Sequence, residues 1–129
     1  MLGFRTRSAD RDRQTDLSRI QKLRQALLDV GTEFAKEEAG LRRRYETAST
    51  DAAFSQQVYE DGRGDAGISS RIDDLTETLI NYSRRISELD RQNAFIKEML
   101  GKLDDFAAEV DIGANRSAAP ETDRINARS

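Results

Sequence analysis

In the second half of the chain thirteen positions are spaced alternately four and three residues apart without a break: Ile68, Ile72, Leu75, Leu79, Tyr82, Ile86, Leu89, Asn93, Ile96, Leu100, Leu103, Ala107 and Val110. That 3.5-residue repeat belongs to a helix whose apolar stripe stays turned toward one partner. Only Asn93 and Ala107 fall short of a large apolar side chain. The repeat constrains architecture closely and leaves chemistry open.

The first half carries a second seam: Leu17, Ile20, Leu23, Leu27, Val30, Phe34, Glu37 and Leu41, then Tyr45, Ala48, Ala52, Ser55 and Tyr59. Two successive four-residue steps, Glu37 to Leu41 to Tyr45, form a stutter, which locally unwinds a supercoil. Between the halves lies Asp61-Gly62-Arg63-Gly64-Asp65-Ala66-Gly67. Its glycines, Gly62, Gly64 and Gly67, are poor helix formers and good turn formers. Asp65, Ser69 and Ser70 are candidate caps for the helix that follows, and Ser70 with Asp73 fits a capping box.

In an antiparallel hairpin, facing residues have numbers that add to a constant. Leu17 with Val110, Ile20 with Ala107, Leu27 with Leu100, Phe34 with Asn93, Leu41 with Ile86 and Ala48 with Leu79 all give 127. Half of that value falls within the glycine loop. Small Ala48, Ala52 and Ser55 then face large Leu79, Leu75 and Ile72, a complementarity that close packing favours. The rival, one continuous helix in a parallel dimer, carries all three glycines inside a helix at about 1 kcal/mol each.

The expected fold is therefore all-α: a long antiparallel two-helix coiled-coil hairpin that self-associates into a four-helix bundle. A flexible basic arm covers 1–12. The hairpin covers 13–112, as helix 13–60, turn 61–67 and helix 68–112. A disordered tail covers 113–129. Phe34, Glu37 and Asn93 meet where register is set. Asn93 is either a tolerated polar interruption or a specifier of register, with Glu37 one turn away as a candidate partner.

A second apolar flank suggests that the hairpin is not alone. Phe95, Met99 and Phe106 lie off the seam on one side of the second helix, and the pairing rule brings Leu28 opposite Met99. A two-helix hairpin has little interior. Burial at about 1.5–3 kcal/mol per large side chain opposes about 1–2 kcal/mol of backbone entropy per ordered residue. A partner surface at the open end, for a second copy or another helical protein, relieves that deficit.

Charge is uneven. Residues 1–30 hold seven Arg and Lys against four Asp, whereas the whole chain has a net charge of −3. Arg5, Arg7, Arg11 and Arg13 are the candidate contacts for an anionic partner such as nucleic acid or a membrane surface. Interleaved acids and the lack of an aromatic platform argue against nucleic acid. A basic-zipper reader also needs its basic helix to run directly into the zipper.

Catalytic signals are poor. The chain has no His and no Cys, so it lacks an imidazole base and a thiol nucleophile. Asp73-Asp74 and Asp104-Asp105 are adjacent on helices and diverge. Gly62-x-Gly64-x-x-Gly67 matches a dinucleotide-binding spacing without the strand that motif requires. Arg63-Gly64-Asp65 is the tripeptide integrins read, but turn chemistry accounts for its glycine and aspartate. Nothing calls for a metal or a cofactor, and no enzymatic activity is expected.

No motif identifies a family. In architecture alone, over about residues 13–112, the chain resembles the stalk and escort proteins of bacterial flagellar and type III export systems. It also looks like the small helical-hairpin proteins secreted by type VII systems. Their Trp-x-Gly turn is replaced here by Gly62-Arg63-Gly64 in a chain without Trp. The functional expectation is a non-enzymatic coiled-coil interaction module, acting as adaptor, chaperone or structural spacer. An export-apparatus escort is its more specific form, and a nucleic-acid-binding coiled coil is the rival from another class. No segment approaches the roughly 20 apolar residues of a membrane span, and no secretory signal opens the sequence. The expected location is cytoplasmic, with export by a signal-less route left open.

Overall fold

The computed structural model describes residues 8–117, which form two long helices that contact each other as a hairpin. Helix α1 runs Ala9–Glu60 and helix α2 runs Ala66–Ser117. Arg5 and Arg7 lie outside the described residues, as does the tail from residue 118.

Both helices start earlier than periodicity suggests, because a capping side chain precedes each. Ser8 Oγ accepts the Arg11 N–H at 3.1 Å, which satisfies one of the donors left over at a helix start. Asp10 and Asp12 in the first turn favour the positive end of the helix dipole. Helix α1 thus includes residues 9–12, assigned to a flexible arm on sequence. Asp65 caps α2: its Oδ1 accepts the Ile68 N–H at 3.0 Å. Of the three candidate caps, the one nearest the turn is used, so the helix begins before Ser69 and Ser70. At the other end α2 continues through residues 113–117, past the expected stop at 112.

Gly62 adopts φ +75°, the left-handed conformation that closes a helix. The Arg63 N–H then donates to Val58 O and the Gly62 N–H to Tyr59 O, both at 3.1 Å. These are the two bonds of a Schellman motif, and they satisfy carbonyls that α1 would otherwise leave open. Gly64 is required by space: a Cβ there would lie 2.7 Å from Tyr59 Cα. Gly67 lies in the first turn of α2, beside the Asp65 carboxylate.

The chain packs as two compact units. One joins the start of α1 up to Asp29 with α2 from Ile96; the other is Val30–Phe95, with the turn. In the first unit Ile20 and Ile96 are buried, and Arg13–Asp111 and Arg24–Asp104 cross from helix to helix at 3.3 and 2.9 Å. In the second unit Leu41, Ala48, Ser55 and Leu89 are buried, Leu89 completely. Glu37–Arg85, Arg42–Asp90 and Asp51–Arg71 cross between its helices at 2.8, 3.4 and 3.4 Å.

All thirteen α2 seam positions are buried or half-buried. On α1 the burial differs from the sequence reading. It follows Leu17, Ile20, Arg24, Leu27, Gly31, Phe34, Glu38 and Leu41, spaced three and four with no double four-residue step. The stutter is replaced by a regular repeat. Leu23, Val30 and Glu37 are exposed, and Arg24, Gly31 and Glu38 take their places. Near the turn, Val58 is half-buried while Tyr59 is exposed. Within each unit a seven-residue column sets this phase, Ile20 and Leu27 in the first and Phe34, Leu41, Ala48 and Ser55 in the second, because there α2 meets α1 along a narrow seam. Arg24 is tolerated there because its long stem covers apolar surface while its guanidinium reaches out to Asp104.

Candidate functional site: an apolar groove in the unit holding the helix ends

The shift in phase has a consequence for surface chemistry. Leu23 is 59% exposed although it sits one residue from the seam. In the same unit α2 leaves Phe106 largely exposed and Met99 half-buried. Leu23, Leu27, Met99, Leu103 and Phe106 converge on one groove of about 270 Å³, with Lys102 at its edge. A single exposed leucine is ordinary; here five apolar side chains line one groove on an otherwise charge-rich helical surface.

Of the residues expected at a partner surface, Met99 and Phe106 line this groove. Leu28 is half-buried and is not part of the lining; Leu23 and Leu27 stand across from Met99 instead. The reason is rotation: successive residues on a helix are about 100° apart, so Leu27 and Leu28 cannot face the same side. Phe95 is exposed and belongs to the other unit. Leu23 was legible as a groove residue from the seven-residue column that begins at Ile20. Its apolar character drew it into the seam on sequence.

The register residues are distributed differently from the sequence reading. Phe34 and Asn93 are half-buried on the seam, while Glu37 is exposed on the flank. Its carboxylate is taken by Arg85, which donates from Nε at 2.8 Å and from Nη2 at 3.2 Å. Those charge-assisted hydrogen bonds hold the Glu37 carboxyl below the usual glutamate range and raise Arg85 above its own. Glu37 is thus committed to Arg85 rather than to Asn93.

The basic segment of α1 is largely neutralised within the chain. Arg13 pairs with Asp10 and Asp111, Arg19 with Asp16 and Arg24 with Asp104. Arg11 lines a shallow surface depression with Arg19 and Lys22. In the turn, Arg63 pairs with Asp61 at 3.0 Å and Asp65 caps α2, so the Arg-Gly-Asp tripeptide is engaged in turn chemistry.

Among the described residues, no three Asp, Glu, His or Cys side chains come together as a metal site would need. No described helix is long and apolar enough to cross a membrane. No family model, no curated protein and no solved structure matches the chain.

Proposed function

We propose that the hairpin is a non-enzymatic protein–protein interaction module that docks through the groove of Leu23, Leu27, Met99, Leu103 and Phe106. The occupant is an apolar helix face, and the reading we favour is a second copy of the chain, giving a four-helix bundle. The observation that carries it is the exposure of Leu23 beside Phe106. Two large apolar side chains flanking the seam are left on the surface, while polar Arg24 occupies the seam position next to Leu23. Both are a little over half exposed, so covering what remains contributes roughly half of the 1.5–3 kcal/mol of a full burial each, stability that a two-helix seam lacks. The intramolecular pairing of Arg13, Arg19 and Arg24 weighs against nucleic acid, because counterion release needs cations free to meet phosphates.

Sedimentation equilibrium of the full chain tests the proposal. The wild-type chain should run at twice its 14.5 kDa mass or above. Replacing Met99 and Phe106 by Ser should return it to the monomer mass with most helicity retained by circular dichroism. A monomeric wild type, or a mass unchanged by the double substitution, rejects self-association through this groove.

A further inference from the structure

Three positions on the flank of α1, Glu37, Arg44 and Asp51, are seven residues apart, as are Arg71, Thr78 and Arg85 on α2. The outer two rungs of this ladder are ion pairs: Glu37 with Arg85 at 2.8 Å and Asp51 with Arg71 at 3.4 Å. The same antiparallel register brings Arg44 to the rung between them, opposite Thr78. That rung has a cation and no carboxylate. Arg44 and its neighbour Arg43 make no ion pair among the described residues, whereas Arg42, on another face, reaches both Glu38 and Asp90.

The surface there is recessed. Arg43, Arg44, Thr47, Thr78 and Tyr82 line a cleft of about 440 Å³, opened by the missing side chain of Gly40 and the small one of Ala48. Asp51 is the one acid of the lining, and Arg71 already engages it. Thr78 and Tyr82 are half-buried, and their hydroxyls add neutral donors to the two guanidinium groups. Two forked cations with hydroxyl donors suit a tetrahedral oxyanion better than a carboxylate, which offers fewer acceptor oxygens.

We propose that the cleft between Arg44 and Thr78 binds an oxyanion of the phosphate class, as free phosphate or as a phosphomonoester, and that this ligand completes the charge ladder between the two helices. The ligand bridges α1 and α2 where the chain leaves a rung unpaired. Binding therefore clamps this part of the hairpin. The proposal is independent of the apolar groove and of self-association.

Titration of the full chain with inorganic phosphate, glycerol phosphate or acetate tests it, with ionic strength held constant by chloride. Thermal unfolding by circular dichroism and amide shifts by NMR are the readouts. Phosphate or glycerol phosphate should raise the melting temperature and shift the amides of residues 40–51 and 75–82. A response to both indicates the phosphate group itself; a response to glycerol phosphate alone indicates an ester ligand. Arg44→Gln should weaken binding at least about tenfold, the loss of one charge-assisted hydrogen bond. Thr78→Glu supplies the missing carboxylate, so it should raise the melting temperature of the free protein and abolish the response. An equal response to acetate, a response retained in both variants, or no response beyond chloride overturns the proposal.

Discussion

Arg85 grips Glu37 through two parallel hydrogen bonds, Nε to Oε2 at 2.8 Å and Nη2 to Oε1 at 3.2 Å, and its remaining Nη1 reaches Glu88 at 3.4 Å. The fork geometry ties α1 to α2 on the flank of the seam, in the unit that contains the turn. It also links folding to pH. Glu37 has its carboxyl lowered by the Arg85 hydrogen bonds, so the folded state holds the ionised form more strongly than the unfolded chain does.

The sign follows from that. The stabilisation is fully present above the unfolded glutamate value and is lost as pH falls through the lowered folded value. Glu37→Gln should therefore lower the melting temperature at neutral pH. The difference from wild type should vanish in acid, below both values. Thermal melts across an acid series check this; a difference that grows on acidification contradicts it.

Glycines along the chain should answer to alanine in opposite directions. At Gly64 a methyl group meets Tyr59 Cα at 2.7 Å, backbone that cannot swing away. Gly64→Ala should destabilise by roughly 1–3 kcal/mol, the usual cost of overpacking. At Gly101 a methyl group meets nothing within 4 Å, and the residue sits inside α2. Gly101→Ala should stabilise by about 0.5–1 kcal/mol through helix propensity alone. Urea unfolding of the two variants reads both values.

The two ends of the turn depend on different groups. Asp65→Ala removes the acceptor for the Ile68 N–H and should cost about 0.5–2 kcal/mol, the range for a lost helix cap. Ser70→Ala should cost nothing comparable, since Asp65 already caps α2. Equal effects at the two positions in denaturant unfolding would place the helix start later than described.

Ile20 and Leu23 are one turn apart, yet their substitutions should separate folding from docking. Ile20 is 8% exposed, so Ile20→Ala should cost about 2–5 kcal/mol of stability. Leu23→Ser removes a side chain that the hairpin itself leaves on the surface, so within one chain its cost should stay within about 0.5 kcal/mol. Its effect should appear in sedimentation, as a loss of the larger species. A large unfolding effect for Leu23→Ser in a monomeric background would return Leu23 to the seam.

Sequence alone determined a good deal. The seam of α2 was legible residue by residue, because thirteen positions hold one spacing and nearly all are large and apolar. The turn was legible as well, since Gly62 and Gly64 have few uses other than closing a helix and letting the chain pass close to itself. On α1 the sequence offered two phases that its composition did not separate. Leu23 and Val30 favoured one by hydrophobicity, and the column through Ile20, Phe34 and Leu41 favoured the other by spacing. Within each unit, tertiary packing against α2 chose the column, because packed helices meet along a narrow seam and a long arginine or glutamate stem tolerates the edge of that seam. The exposed leucine, the apolar groove and the unpaired rung at Arg44 all follow from that choice. Met99 and Phe106 stood out as an apolar flank from spacing alone, but which α1 residues face them, and which rung lacks a carboxylate, is decided only when two helices fix which side of each residue faces out.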